Sequence, residues 1–524
     1  MYRADKILMI GAAAAAGVPA AARTVGQPHI ILIVADQFRG DCLGAVNPHI
    51  HTPNLDRLAA EGTLFTHAYS SVPSSTPARA GLLTGLAPWH HGMLGYGRVA
   101  EHYRYEMPRM LGEAGYYTFG IGKMHWFPQK TLHGFNGTLV DESGRIEQDG
   151  FVSDYRDWFK LHAPGINPDT LHISWNSHYA APYPLDERLH PTAWTAQTAI
   201  EMIDAYALGD PLFLKVSFAR PHSPYDPPER FVALYDGEQI PLPFRSAWSE
   251  RFARPDTPET SDACYGDFGD SVALRARKYY YASISFIDYE IGRIVEALKE
   301  KGIYDDCLII FLSDHGDMLG DHNHWRKTYP YEGSARIPFI VRLPADMRDR
   351  CGGVNERRSQ VVELRDVLPT MLEAAGCGVP DDMDGRSVLG LIADPGAPWR
   401  EYIDLEHAQI YEPENCWMAL TDGRRKYIRN ARTGEEQLFD LENDPGECRD
   451  LAGEEQYAAE LRTWRTRLTA HLAERDARYV RNGELQIITE KIIYSPNYPG
   501  STAPATPREQ QKLREWRREA TAWR

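Results

Sequence analysis

A hydroxyl group, a proline and an arginine lie close together in the sequence SSTPAR at residues 74–79. Pro77 suits the first position of a helix, where its missing N–H costs nothing, and Ser75 or Thr76 can cap the free amides. Because a helix N-terminus favours anions, Ser75 is placed beside an anion-binding position. Arg79 adds a guanidinium fork that can bind a tetrahedral oxyanion. The pattern indicates a nucleophile beside an anion site; an ordinary capped helix with a surface arginine is the alternative.

Short apolar segments must form the strands that bring other reactive side chains to this helix. They lie at residues 29–35, 117–122, 211–218 and 307–313 and alternate with helical patterns, which predicts an α/β domain with a largely parallel sheet. Polar residues follow each segment, namely Asp36 and Gln37, Lys123 and His125, His222, and Asp314 and His315. Since ligands bind at the carboxyl ends of strands in open α/β sheets, we expect these side chains to share one site.

Other segments show how the rest of the chain is organised. Residues 54–61 and 279–299 carry apolar stripes at helical intervals, so they are expected to pack on the sheet. From about Glu401 the pattern changes. It predicts short strands and then a helix, at residues 417–420, 426–428, 437–441 and about 454–477. The change indicates a small antiparallel subdomain after the α/β domain.

The first segment of the chain has the pattern of a secretory signal peptide. Residues 1–22 place Arg3 and Lys6 ahead of an apolar, alanine-rich stretch, for which a buried helix is the alternative. Three further segments follow: a catalytic α/β domain (23–400), an α+β subdomain (401–480) and a tail with a docked helix (481–524). We therefore expect a periplasmic or secreted protein. No later segment reaches the ~18 uninterrupted apolar residues of a membrane span.

The composition excludes some classes of partner. The chain has 524 residues, of which 43% are hydrophobic and 25% charged, as in a globular protein with a large and a smaller domain. Its net charge of −16 argues against nucleic-acid binding. The seven cysteines are scattered and show neither zinc-site spacing nor a clear disulfide framework.

Two of the strand ends carry residues that suit a metal ion. Asp36, Gln37, Asp314 and His315 offer two carboxylates, an amide oxygen and an imidazole. Mostly oxygen ligands suit calcium or magnesium, and His315 makes manganese an option; two unrelated strand-end turns are the alternative. Nearby Asp317 and Asp321 are expected to stabilise the loop, and a role as further ligands is the alternative.

Further cations and imidazoles are expected around the same position. They are Lys123, His125, His222 and Lys327. A lone histidine is usually structural, but together with Arg79 and a metal pair these groups can clamp a tetrahedral anion. They can also protonate a leaving alkoxide.

These motifs together resemble a type I sulfatase of the alkaline-phosphatase-like superfamily. The matching stretches are ADQFRGD, TPNLDRLAAEG, SSTPARAGLLTG, GIGKMHW, RPHSPYDPP, SDHGDMLGDH, K-x-x-x-Y-E at 327–332 and LFDLENDPGE at 438–447. The resemblance covers about residues 29–450, with order and spacing in agreement. It implies a three-layer α/β sandwich with a largely parallel central sheet and a smaller antiparallel-sheet subdomain.

The resemblance implies a role for each site residue. Ser75 stands where the family carries a residue oxidised to formylglycine, whose hydrated aldehyde attacks sulfur with help from Arg79. His222 protonates the leaving alcohol, and His125 helps the second hydroxyl expel sulfate. Lys123 and Lys327 bind the sulfate oxygens. One divalent cation, Ca²⁺ in the first place and otherwise Mg²⁺ or Mn²⁺, is implied at Asp36, Gln37, Ser75, Asp314 and His315.

Two positions depart from the commonest family pattern. Many members have Asp-Asp where this chain has Asp36-Gln37, and Asp-Asn where it has Asp314-His315. These pairs also resemble the branch that hydrolyses phosphonates and phosphodiesters. A serine at position 75 resembles the substrates of a bacterial radical maturation enzyme, which makes such an enzyme the expected partner of Ser75 and implies a bacterial source.

The function expected from these observations is the hydrolysis of sulfate esters on a carbohydrate such as a glycosaminoglycan fragment. Residues 126–190 are rich in aromatic and polar side chains that could stack on sugar rings, or that could pack a lid. One alternative is a phosphonate monoester or phosphodiester hydrolase on the same scaffold. Another is a non-catalytic glycan-binding relative in which Ser75 stays unmodified.

Overall fold

The computed structural model describes residues 26–502 except 170–172, 174–175, 208, 256–262 and 413. The expected signal peptide (1–22) and the expected docked helix (508–524) lie outside the described residues. Within the described part of the chain, no helix is long and apolar enough to cross a membrane.

The strands run as follows: β1 (His29–Asp36), β2 (Thr63–Tyr69), β3 (Tyr117–Gly122), β4 (Gly137–Val140), β5 (Leu212–Pro221), β6 (Cys307–Ser313), β7 (Arg336–Ile337), β8 (Phe339–Arg342), β9 (Glu356–Glu363), β10 (Ile403–His407), β11 (Trp417–Thr421), β12 (Arg425–Asn430), β13 (Glu436–Asp440), β14 (Val480–Arg481) and β15 (Glu484–Leu485).

The α-helices run as follows: α1 (Pro53–Ala60), α2 (Ser75–Thr84), α3 (Pro88–His91), α4 (Met107–Glu113), α5 (Asp154–His162), α6 (Pro191–Ala205), α7 (Glu229–Val232), α8 (Asp270–Glu300), α9 (Glu332–Ala335), α10 (Ala345–Cys351), α11 (Val367–Ala374), α12 (Leu389–Ala393) and α13 (Ala458–His471).

A nine-stranded sheet in the order β4-β3-β5-β1-β6-β8-β2-β7, with β9 beside β2, forms the centre of the molecule. The four strands predicted from the sequence are neighbours in it, because β1 pairs in parallel with both β5 and β6, and β3 pairs in parallel with β5. Their carboxyl ends therefore meet at one edge. The prediction of a largely parallel sheet is confirmed.

Helices cover both faces of the sheet because its central strands are apolar on both sides. Ile31 and Ile33 of β1 pack in one hydrophobic cluster with α6 and α8, while Ile30 and Leu32 pack in a second cluster that includes α11. The predicted stripe on α8 is confirmed, since its isoleucines are fully buried. The result is an α/β/α sandwich.

A second sheet of antiparallel strands, β10-β11-β12-β13, confirms the predicted small subdomain. Its last three strands lie within two residues of their predicted positions, and the pattern did not resolve β10. Helix α13 is shorter than the expected 454–477. The boundary near residue 400 stays a prediction.

Candidate active site

Helix α2 begins at Ser75, with Ser74 as the residue before it and Pro77 as its third residue. The expectation that Ser75 or Thr76 caps this helix is wrong, and Pro77 is not at the first position. Neither hydroxyl is available as a cap, because Ser75 Oγ contacts strand-end residues and Thr76 Oγ1 accepts a hydrogen bond from Gly97 N (3.2 Å). Ser75 still lies at the positive end of the helix dipole.

The ends of β1 and β6 bring the two predicted carboxylates together, and Arg79 joins them. Arg79 Nη2 donates to Asp36 Oδ2 (3.0 Å) and Nε donates to Asp314 Oδ2 (2.8 Å). The third nitrogen donates to the Lys123 carbonyl (2.7 Å) and Ser217 Oγ (3.0 Å). The predicted guanidinium fork is therefore directed at protein groups. Its main effect in the structure is to balance the charge of two buried carboxylates.

The Ser75 hydroxyl lies between a carboxylate and an imidazole. Its Oγ is 3.0 Å from His315 Nε2 and 3.3 Å from Asp36 Oδ2. His315 Nδ1 lies 2.9 Å from the Gly316 carbonyl oxygen, which can only accept, so Nδ1 carries the proton and Nε2 presents its lone pair to Ser75. A neutral imidazole with a free lone pair is the form that binds a metal ion.

Among the described residues, Asp36, Asp314 and His315 form a group that could hold a metal ion. One ligand atom from each lies within 4.8 Å of the others, and all three side chains are buried. Asp36 Oδ1 is buried and hydrogen-bonds to no described group, as expected for an oxygen that binds a cation. The donor set of carboxylates and one imidazole fits a divalent cation.

Gln37 lies at the edge of this group. Its Oε1 accepts a hydrogen bond from Lys327 Nζ (2.7 Å), while its Nε2 donates to Asp317 Oδ2 (2.5 Å). Its backbone is in the left-handed region (φ 70°), a costly conformation for a non-glycine residue that is often found at functional sites. Gln37 as a ligand stays a prediction.

Lys123 follows β3 and extends its ammonium group to Asp36. Nζ lies 2.7 Å from Asp36 Oδ2. The turn before it requires Gly122 (φ 89°), because a Cβ there would collide with the Ser217 carbonyl oxygen. Burial lowers the pKa of Lys123 to about 8. Burial also opposes the ionisation of Asp36, but the positive charges of Lys123 and Arg79 outweigh it and hold the Asp36 pKa well below its usual value.

His125 is buried, yet neither ring nitrogen hydrogen-bonds to a described residue. The loop that carries it is fixed through the backbone, since Glu142 Oε1 accepts from Met124 N (2.9 Å) and His125 N (2.8 Å). Burial and the nearby Arg145 lower the pKa of His125 well below its ordinary value. Two unsatisfied imidazole nitrogens inside the site are suited to contact a substrate.

His222 and Lys327 form a hydrogen-bonded pair beside Gln37. A register shift between β1 and β5 brings His222 alongside Asp36, whose carbonyl accepts from His222 N (3.1 Å). His222 Nδ1 lies 2.8 Å from the Ser223 carbonyl, so Nε2 accepts from Lys327 Nζ (2.7 Å). Burial, followed by the Lys327 charge, lowers the His222 pKa well below its ordinary value, and burial lowers the Lys327 pKa to about 7.

Several residues that support the site were not predicted from the sequence patterns. Ser74 Oγ lies 2.9 Å from His407 Nε2, a contact that ties β10 of the second sheet to the start of α2. Glu142 holds the His125 loop, and Tyr96 lies over the His125 ring at 5.9 Å between centroids. No local signal marks these residues. By contrast, Asp317 and Asp321 form the loop contacts expected of them.

An α/β/α sandwich with carboxylates, imidazoles and ammonium groups around one hydroxyl at its carboxyl edge defines a hydrolase of anionic esters. The Sulfatase family model matches residues 28–377, and a model described as N-sulphoglucosamine sulphohydrolase, C-terminal, matches residues 320–474. The chain therefore belongs to the sulfatase family and is a sulfuric ester hydrolase.

Similarity to individual relatives extends over most of the chain. It is 37% identical over 477 residues to an arylsulfatase of Clostridium perfringens (strain 13 / Type A), covering 88% of this chain and 97% of that protein. It is 31% identical to a choline-sulfatase of Rhizobium meliloti (strain 1021), covering 82% and 83%. The phosphonate monoester hydrolase of Agrobacterium radiobacter matches with a TM-score of 0.73, 27% identity and coverage of 86% and 96%. The alkaline-phosphatase-like fold is thus confirmed.

Proposed function

We propose that this chain hydrolyses sulfate esters after Ser75 has been converted to formylglycine. The observation that carries the proposal is the position of Ser75 Oγ. It lies at a helix N-terminus, 3.0 Å from His315 Nε2 and 3.3 Å from Asp36 Oδ2, with the Lys123 and Arg79 cations on the same carboxylate. A nucleophile in this position meets an anionic ester surrounded by positive charge.

The surroundings of Ser75 favour a modified nucleophile over a plain hydroxyl. A serine needs a general base, and the imidazole beside it belongs to His315. In the proposed site the His315 lone pair would bind the cation, and it could not then also accept the serine proton. A hydrated aldehyde supplies a more acidic hydroxyl and a second hydroxyl for the release of sulfate. A sulfatase-maturing enzyme is therefore the partner that we propose for Ser75.

The remaining side chains bind sulfate, transfer protons or bind the cation. Lys123 and Lys327 bind sulfate oxygens, and the His222–Lys327 pair holds the proton that the leaving alcohol takes up. His125, whose ring nitrogens hydrogen-bond to no described residue and whose Nε2 lies 4.0 Å from Glu147 Oε1, accepts the proton of the second hydroxyl when sulfate leaves. Asp36, Gln37, Ser75, Asp314 and His315 would hold one divalent cation, with calcium preferred for its oxygen-rich set. The cation, when bound, supplies Lewis-acid charge stabilisation.

A sulfated carbohydrate, such as a glycosaminoglycan fragment, is the substrate class that we propose. The C-terminal match to the N-sulphoglucosamine sulphohydrolase model supports it. The aromatic region 126–190 does not, because Trp126, Tyr155 and Phe159 are buried in the hydrophobic clusters and Trp158 packs against them. The arylsulfatase and choline-sulfatase relatives make aryl sulfate and choline sulfate the necessary comparisons.

A panel of esters tests this function. The chain is co-expressed with a maturing enzyme, and kcat/KM is measured for sulfated mono- and disaccharides, an aryl sulfate, choline sulfate, a phosphonate monoester and a phosphodiester. We expect sulfate esters to be preferred and Ser75→Ala protein to be inactive. Equal activity of Ser75→Ala would contradict the proposed nucleophile.

A phosphonate monoester or phosphodiester hydrolase is the second candidate. Gln37 and His315 occupy positions where many sulfatases have Asp and Asn, and the Agrobacterium enzyme aligns over 86% of this chain. If kcat/KM is higher for the phosphonate or the diester than for every sulfate ester, hydrolysis of phosphonates or phosphodiesters replaces sulfate hydrolysis as the function.

Export to the periplasm or the medium is part of the proposal and rests on the pattern of residues 1–22. Cell fractionation with N-terminal sequencing of the mature protein tests it. Cytoplasmic protein that retains residues 1–22 would contradict export.

A further inference from the structure

The chain returns to the active site through residues 491–498, here called the C-terminal strap, which pack along residues 92–98, the rim loop. Ser495 N donates to the Gly92 carbonyl (2.8 Å), and Ser495 Oγ donates to the Trp89 carbonyl (2.6 Å). These hydrogen bonds dock the strap beside α3, at the base of the rim loop.

Two tyrosines of the strap hydrogen-bond to the backbone at the far end of the rim loop. Tyr494 OH accepts from Arg98 N (2.7 Å), and Tyr498 OH donates to the Arg98 carbonyl (2.6 Å), with the two rings stacked at 4.1 Å. The approach is so close that a Cβ at Gly97 would collide with the Tyr494 hydroxyl. Both backbone groups of Arg98 are thus held by the strap, which fixes the path of the loop.

The rim loop in turn reaches the reacting groups. Gly97 N donates to Thr76 Oγ1, the residue after Ser75, at 3.2 Å. Tyr96 places its ring edge-to-face on His125 at 5.9 Å, and 42% of the Tyr96 surface is exposed. Tyr96 therefore contacts a buried site imidazole and is also partly exposed to solvent.

A second exposed tyrosine lies beside the residue that precedes Lys327. Tyr411 is also 42% exposed, and its ring lies beneath the guanidinium of Arg326 (4.7 Å), the residue before Lys327. Aromatic rings therefore lie beside His125 and beside the residue before Lys327.

We propose that Tyr96, held in place by the C-terminal strap, determines specificity by stacking on a ring next to the ester oxygen of the substrate. The inference rests on the proposed sulfate ester hydrolysis and narrows the substrate class to esters of ring alcohols, whether aryl or pyranose. Aromatic faces stack favourably on such rings, and an acyclic alcohol offers no comparable surface.

Selectivity measurements on Tyr96→Ala test the inference. We expect the ratio of kcat/KM for a ring ester to that for choline sulfate, an acyclic ester, to fall about tenfold, mainly through KM. A fall in kcat/KM for only the aryl sulfate, or for only the sulfated monosaccharide, identifies which kind of ring stacks on Tyr96. An unchanged ratio contradicts the inference, because Tyr96 would then act only through His125 or not at all.

The role of the strap needs its own variant and control. Tyr494→Phe removes the acceptor for Arg98 N and should shift the same ratio in the same direction by a smaller factor, with the melting temperature recorded to confirm folding. Tyr289→Ala, an equally exposed tyrosine on α8, should leave the ratio unchanged. If Tyr494→Phe folds and keeps the wild-type ratio, the strap does not position Tyr96. Wild-type protein inactive on every sulfate ester would instead contradict the proposed function itself.

Discussion

Arg79 lies between Asp36 and Asp314 and donates to one oxygen of each carboxylate, at 3.0 and 2.8 Å. All three residues are almost completely buried. A buried guanidinium that joins two carboxylates neutralises their repulsion and fixes their orientation, which leaves Asp36 Oδ1, an oxygen with no hydrogen bond to a described group, available to a cation.

Arg79→Lys tests this relationship. A lysine keeps the charge but cannot reach both carboxylates, so we expect cation affinity to fall about tenfold and kcat to fall by roughly a hundredfold. Competition with a chelator measures the affinity. Arg230→Lys, which alters a surface pair with Glu187, is the control. Wild-type affinity and turnover in Arg79→Lys would show that the bridge is not needed.

His222→Ala tests the proposed proton donor through the leaving group. Because Lys327 Nζ lies 2.7 Å from His222 Nε2, the pair can hold a proton for the departing alcohol. We expect kcat to fall by about 10²–10⁴ for esters of weakly acidic alcohols and much less for a nitrophenyl sulfate. Steady-state kinetics across a series of leaving groups measures the dependence. An equal fall in kcat for all esters would mean that His222 binds the substrate and does not donate the proton.

Asp317→Asn tests how Gln37 is oriented. Asp317 Oδ2 accepts from Gln37 Nε2 (2.5 Å) and from Tyr225 OH (2.6 Å), which turns the Gln37 oxygen towards the site. An asparagine can present a donor instead and reverse the Gln37 amide. We expect cation affinity to fall roughly tenfold, as for other groups that orient metal ligands.

The matched control for Asp317→Asn is Asp321→Asn in the same loop. Asp321 pairs with Arg39 and Arg277, away from Gln37, so its loss should lower the melting temperature without the same change in cation affinity. Equal cation affinity in both variants would mean that Asp317 does not orient the Gln37 side chain.

Buried neutral histidines predict a loss of stability in acid. Burial lowers the pKa of His91 and His324 to about 3 and that of His407 to about 4. Unfolded imidazoles bind protons below about pH 6.5, so in the window from there to about pH 4 the unfolded state holds more protons. The free energy of unfolding should therefore decrease as the pH is lowered. At about pH 5 the decrease relative to neutral pH is on the order of 2 kcal/mol per histidine.

Urea unfolding between about pH 7 and pH 5 measures this effect. His324→Phe should reduce the acid-induced loss by roughly one histidine's share, and substitution of the exposed His49 by Gln should not. The same pH dependence in wild type and His324→Phe would show that His324 does not contribute to it.

The sequence predicts the centre of the site because its signals are local. Asp36, Asp314 and Lys123 each follow an apolar strand, and parallel pairing brings strand ends together whatever lies between them in the chain. The buried stripe of α8 and the antiparallel subdomain are local patterns of the same kind. Local patterns were sufficient for the α8 stripe and for β11, β12 and β13, but not for β10.

The failures have a common physical cause. The cap predicted at Ser75 is absent because its hydroxyl has partners from strands far along the chain, such as His315. Trp126, Tyr155 and Phe159 were expected at a substrate or in a lid, and the sequence could not show that they pack in the core. The hydrogen bond from Arg98 N to Tyr494 OH joins residues that are 396 positions apart, so no local sequence pattern predicts it.

Mass spectrometry of the Ser75 peptide, combined with turnover of the same preparation, is the most direct test of the central claim. Protein is prepared with increasing maturation, and the fraction of the peptide that lacks two hydrogens is measured beside kcat for a sulfate ester. The proposed chemistry requires kcat to rise in proportion to that fraction and to vanish where Ser75 is unmodified. Full turnover by protein whose Ser75 is entirely unmodified would contradict it.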